Sequence, residues 1–225
     1  MKLLLHGALG TKVQVEPLAK EFPGSIAIDL TGHGSHDLPE DLGFDHYIQD
    51  IESARQEQKA DRLDLFGYSM GGYAALLYAS RYPEHIRSVM TLGTKLIWDR
   101  EGLDRELRML DPKKMREKVP QFVDRLKQQH GEKWERLVHA TARLITGLHE
   151  RPLLTPEVLQ KIQCPVLLCV GDRDRTAVPE HTLQVQQQVA RAGTLVLPNT
   201  GHPIEAVDRK VLLMHLQVFW MHSEA

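Results

Sequence analysis

The chain has 225 residues, a formal net charge of −2 and 42% apolar residues. Acidic and basic residues are evenly mixed, which argues against a nucleic-acid surface, and no apolar run reaches membrane-spanning length. The length suits one domain, or one domain with a modest insertion, and the apolar fraction can build a sizeable core.

Short apolar runs alternate with helical patterns. Lys2–Leu5 reads as the first strand, followed by a helix over residues 13–21. Residues 25–28 form the second strand, then a Gly/His/Asp-rich loop, then a helix over 44–59. A third strand over 63–66 runs straight into Ser69 and a helix over 72–81. Ile86–Leu92 is the fourth strand, 166–170 the fifth and 194–197 the sixth, with a closing helix over 204–220. Strands alternating with helices predict a parallel sheet covered on both faces. Right-handed crossovers then bring the C-terminal ends of all strands to one edge, where open sheets hold their ligands.

The rhythm breaks between the fourth and fifth strands. Val119, Phe122, Val123 and Leu126 recur at helical spacing, as do Trp134, Leu137, Val138, Thr141, Leu144, Ile145 and Leu148, with no strand-like run between them. Residues 95–159 therefore read as a helical insertion within the single domain of residues 1–225. It leaves the sheet at the strand ends and is expected to cap a site there.

The segment Gly67-Tyr68-Ser69-Met70-Gly71-Gly72 follows an apolar strand and precedes the helical pattern Ala74, Ala75, Leu77, Tyr78. A sharp strand-to-helix turn would leave Ser69 at its apex, with Gly67 and Gly71 where side chains would collide with the crossing backbone. A serine hydroxyl needs a base to take its proton. His202, in Gly201-His202-Pro203 after the sixth strand, is the candidate. A carboxylate should orient the imidazole. Asp172 and Asp174 both follow the fifth strand, and local chemistry does not separate them.

Donors for a developing oxyanion are expected from the N–H of Met70, next after the nucleophile, and of Ala8, in the loop after the first strand. His6 is expected to hold that loop structurally. Tyr68, Trp98, Trp134 and His33 are candidate pocket residues. The loop from Asp29 to Asp37 carries two histidines and two aspartates, but its glycines suit a turn at the pocket mouth and no tetrahedral ligand set is fixed. No metal and no cofactor are expected. Cys164 and Cys169 are expected to be reduced core thiols, and with no targeting segment legible a cytoplasmic location follows as the expectation.

His6-Gly7, the Asp29-to-Gly34 loop, the Gly67–Gly72 turn, Gly171-Asp172-Arg173-Asp174 and Gly201-His202 occur in the order found in the α/β-hydrolase fold superfamily, which the chain resembles over nearly its whole length outside the insertion. That resemblance implies an α/β fold of about six mainly parallel strands, helices on both faces and a helical cap. It also assigns the acid to Asp174, the second aspartate of Gly-Asp-x-Asp. The chain starts almost directly at the strand before His6, so the usual antiparallel edge should be missing. Gly-Tyr-Ser-Met-Gly-Gly also resembles the lyase of menaquinone synthesis, although Tyr73 stands where those relatives usually carry arginine. The expected function is a serine hydrolase cleaving a carboxylic ester or thioester of a small molecule through an acyl-enzyme on Ser69. The alternatives are a lyase of that type and a non-catalytic signalling protein on a hydrolase scaffold. Nucleic-acid and membrane partners are not expected, and the sequence leaves the oligomeric state open.

Overall fold

The computed structural model describes residues 1–223. Six strands, β1 (Lys2–Leu5), β2 (Ile26–Ile28), β3 (Leu63–Tyr68), β4 (Ile86–Leu92), β5 (Val166–Gly171) and β6 (Ala192–Leu197), form one sheet. Their order is β2-β1-β3-β4-β5-β6, and every pairing is parallel. The order reverses after β1 and β3, so the switch in winding lies where the loops after those strands meet.

Alternation along each strand divides the core in two. Leu3 and Leu5 of β1 and Leu63 and Leu65 of β3 join the apolar cluster that contains Tyr47 and Ile51 of α2 (Phe44–Glu57). The same cluster takes in the inner face of α3 (Met70–Arg81). Leu4 and Phe66 belong to the opposite cluster, with Leu18 of the short α1 (Glu16–Ala19) and Leu212, Leu216 and Trp220 of the terminal helix. Cys164 lies in the first cluster and Cys169 in the second, both as free thiols. Burial pushes the Cys164 thiol up to about 12, and that of Cys169 up as well.

Between β4 and β5 the chain makes α4 (Arg100–Met109), α5 (Pro112–Lys118), α6 (Pro120–His130), α7 (Trp134–Glu150) and the single turn α8 (Pro156–Leu159). Asp99, Asp111 and Thr155 cap α4, α5 and α8 by accepting backbone N–H groups of the first turn. Pro112, Pro120 and Pro156 open their helices where the missing N–H costs nothing. The insertion is thus a run of separate helices, three of them with side-chain caps, around the 17-residue α7.

Several boundaries differ from the sequence reading. The helix expected over 13–21 is a 3₁₀ turn at Lys12–Gln14 followed by the four residues of α1, with Pro17 falling at the start of the latter. The closing helix does not begin at 204. A 3₁₀ turn spans Ile204–Ala206, and α10 (Arg209–Ser223) starts after Asp208, whose carboxylate accepts from Lys210 and Val211 N–H. A helix not anticipated, α9 (Pro179–Gln186), links β5 to β6. Its apolar periodicity is weak because only Thr182 and Val185 are buried while Leu183 faces outward, and its one signal is Pro179 at the first turn.

Candidate active site

The turn between β3 and α3 places Ser69 at φ 53°, ψ −114°. This is a left-handed conformation that costs a non-glycine residue roughly 1–3 kcal/mol, so the surroundings must hold it. A Cβ on Gly67 would lie 2.4 Å from the Gly72 Cα, and one on Gly71 would lie 2.6 Å from the His6 carbonyl oxygen. Both obstacles are backbone and cannot swing away. Ser69 N–H donates to Leu92 O at 2.8 Å, and Thr94 Oγ1 donates to Ser69 O at 3.1 Å, tying the apex to the end of β4.

His202 Nε2 stands 3.3 Å from Ser69 Oγ, and His202 Nδ1 stands 2.8 Å from Asp174 Oδ2. A carboxylate can only accept, so Nδ1 carries the proton and Nε2 is left to accept from the serine hydroxyl. The other Asp174 oxygen accepts from Thr176 and Ala177 N–H, both at 2.8 Å, in a side chain only 1% exposed. Both oxygens of this carboxylate are therefore held. Asp172 has a different task. It is exposed and accepts from Thr200 N–H, and that bond with the one from Asn199 holds its carboxyl below the usual range. Asp172 thus shapes the loop that carries His202, whose carbonyl accepts from Tyr68 Oη at 3.1 Å.

On the other side of Ser69 lies the loop after β1. Its Gly7 runs so close to the turn that a Cβ would come within 2.8 Å of the Tyr68 ring. His6 is fully buried and satisfied at both ring nitrogens. Nε2 accepts from Leu30 N–H at 3.0 Å, so Nδ1 is the one that donates to Gly7 O at 2.8 Å. In a trans peptide the C=O and the following N–H point in opposite directions. Holding Gly7 O therefore aims the Ala8 N–H away from His6. Met70 opens α3, where an N–H has no carbonyl one turn earlier to reach. Ala8 and Met70 both line a cavity of about 550 Å³ that Ser69 and His202 also line.

Burial holds the His6 imidazole down at about 4, against an ordinary value near 6.5. The native ring is thus neutral where an unfolded chain would already take up a proton. Stability from this group is complete above pH 6.5 and is lost as pH falls toward 4, by about 3 kcal/mol in total. Urea unfolding at pH 7 and pH 4.5 should show a steeper loss for wild type than for His6→Asn; equal losses would remove His6 as the source.

The cavity wall is mostly apolar and aromatic, with Phe44, Met70 and Tyr73 from below and Phe122, Leu144 and Ile145 from α6 and α7 above. Tyr68 and Trp98 are among the lining residues. His33 and Trp134 are not among those lining residues. His33 is fully buried between the rings of His6, Tyr47 and His130, and Trp134 is packed within the core of the insertion under the Arg116 guanidinium. Among the described residues no group of three or more His, Cys, Asp or Glu is placed to hold a metal ion.

Three contributors had no clear signal in the sequence. Gly93, at φ 60°, lets the chain pass beneath the His–Asp pair, since a Cβ there would lie 3.2 Å from Asp174 Oδ2 and 3.3 Å from His202 Nδ1. Its position directly after β4 was the only clue. Lys95 and Glu106 line the cavity as a charged pair, with Nζ 3.9 Å from Oε1 and 4.7 Å over the Trp98 ring, and neither atom makes a hydrogen bond. Burial lowers the Lys95 pKa, with Glu106 opposing that effect.

A parallel sheet, a strained serine at a strand-to-helix turn, and an imidazole bridging that serine to a buried aspartate define a hydrolase-fold enzyme with a serine–histidine–aspartate arrangement. The sequence from residue 3 to 211 matches the alpha/beta hydrolase family, and the chain belongs to it. It is 26% identical over 233 residues to Lipase 3 of Moraxella sp. (strain TA144), covering 91% of this chain and 73% of that protein. It is 27% identical over 216 residues to the human serine hydrolase BPHL, covering 89% of this chain and 72% of that protein. The crystal structure of a membrane phospholipase A, a bacterial virulence factor, is similar with a TM-score of 0.79 at 25% identity. That match covers 99% of this chain and 79% of the other. Among the described residues no helix of this chain is long and apolar enough to cross a membrane.

Proposed function

We propose that the protein hydrolyses a small carboxylic ester or thioester through an acyl-enzyme on Ser69. The observation that carries this reading is the continuous chain from Ser69 Oγ through His202 to Asp174, at 3.3 and 2.8 Å, opening into an apolar cavity. Ser69 attacks the substrate carbonyl as His202 Nε2 takes its proton, and Asp174 stabilises the imidazolium so formed. The N–H groups of Ala8 and Met70 receive the oxyanion, each worth roughly 3 kcal/mol of transition-state stabilisation. The imidazolium then protonates the leaving alcohol or thiol, and the neutral ring activates water to release the acid. Residues 95–159 act as the cap over this site, within a single domain of residues 1–225. The lyase reading is less well supported: Tyr73 replaces the arginine of those relatives, and its hydroxyl is taken up accepting Leu154 N–H. The names of two similar proteins, a lipase and a serine hydrolase, agree with ester chemistry.

The cavity wall favours an apolar or ring-containing acyl group. Each buried methylene contributes about 0.8 kcal/mol, so kcat/KM should rise about fourfold per methylene until the cavity is full. A series of p-nitrophenyl esters from acetate to dodecanoate measures this. A rise to a maximum followed by a fall is expected, and a flat profile contradicts an acyl-binding role for the cavity.

A further inference from the structure

The oxyanion loop is held from the cap as well as from the sheet. His130 is the last residue of α6 and is 4% exposed. Its Nδ1 accepts from Gly34 N–H at 3.0 Å, which leaves Nε2 to carry the proton and donate to Leu9 O, also at 3.0 Å. These partners lie 96 and 121 residues away in the chain. Leu9 has φ 58° and follows Ala8 directly, so its carbonyl is part of a strained turn that cannot hold its own orientation cheaply. His6 fixes the peptide before Ala8 and His130 fixes the carbonyl after it. The two rings are bridged by His33, with centroids 4.9 Å from His6 and 5.8 Å from His130. Phe122 and Gln129, on the same helix as His130, line the cavity. The helix that meets the acyl group is therefore the helix that grips the oxyanion loop.

We infer that His130 is a positioning residue for the oxyanion site, transmitting the placement of the cap to the Ala8 N–H through Leu9. The inference rests on the acyl-transfer reading above. With Leu9 O released, the turn can rotate and the Ala8 N–H loses its aim, whereas Ser69, His202 and Asp174 keep theirs. The loss falls on kcat rather than KM, because the donor acts on the charge that develops in the transition state.

Paired substrates separate this from simple loosening of the fold. A thionoester places sulfur, a weak acceptor, where an ester places oxygen, so it draws little from the oxyanion donors. His130→Leu should lower kcat on the ester by about 10- to 100-fold, less than the 10²- to 10³-fold typical of removing a donor outright. On the matching thionoester it should lower kcat far less, so the ester-to-thionoester ratio shrinks. His130→Gln can accept from Gly34 and donate to Leu9, and should restore the ratio. If His130→Leu does not fold, His130→Asn, too short to reach both backbone groups, carries the same comparison. A ratio unchanged while both rates fall together, or unchanged rates, would overturn the positioning role. Failure of the acyl-transfer reading looks different: wild type would then turn over substrate with no adduct at Ser69.

Discussion

Ser69→Ala is expected to lower kcat/KM on a p-nitrophenyl ester by about 10⁴- to 10⁶-fold, while the protein stays folded. In the proposed mechanism the hydroxyl forms the bond to the acyl carbon, and alanine leaves only what binding and the oxyanion donors would supply. Stability should change little. The side chain makes one long hydrogen bond, at 3.3 Å, and alanine keeps the Cβ that strains the turn at φ 53°. Rates measured beside a thermal melt check both halves of this prediction. Activity within tenfold of wild type would take Ser69 out of the mechanism.

Asp174→Asn is expected to cost about 10⁴-fold in kcat, as loss of the acid does elsewhere in such triads. An amide can donate to Nδ1 and so favours the wrong tautomer, turning the proton toward Ser69. It also leaves Thr176 and Ala177 N–H with a weaker acceptor. Asp172→Asn should leave kcat near that of wild type, because its oxygen can still accept from Thr200 and it makes no bond to the imidazole. The pair of variants, read by kcat and by the pH dependence of kcat/KM, distinguishes the two carboxylates. A larger loss in Asp172→Asn would reverse their roles.

Those two aspartates also show where the sequence stops being informative. Both follow β5, both precede a turn, and each carries the same charge. They part only because the turn after Gly171 buries one and exposes the other, a matter of backbone path rather than residue type. Ser69 was legible because a strained apex needs glycines on either side, and that need is written locally. His202 was legible from its place after the last strand and before the terminal helix. His6 could be read as a structural residue, but its partner Leu30, just past the end of β2, required the register of β1 against β2. Helical periodicity revealed the insertion, yet periodicity does not say what lies beneath a helix. That is why Trp134 stood as a pocket candidate beside Trp98, as His33 did from a loop whose side-chain directions the sequence does not give, and why nothing singled out His130. Its role depends on contacts to Leu9 and Gly34 that no spacing encodes. Gly93 and Lys95 escaped notice for the same reason. Each matters through a neighbour brought in by a different strand or helix.

Hydrolysis by the proposed route requires that Ser69 become acylated during turnover. Reaction with a fluorophosphonate, followed by mass measurement of the intact protein and of its peptides, tests this most directly. One adduct on the peptide containing Ser69, absent in Ser69→Ala and strongly slowed in Asp174→Asn, is the expected result. An unmodified Ser69 in a preparation that still cleaves esters would contradict the account.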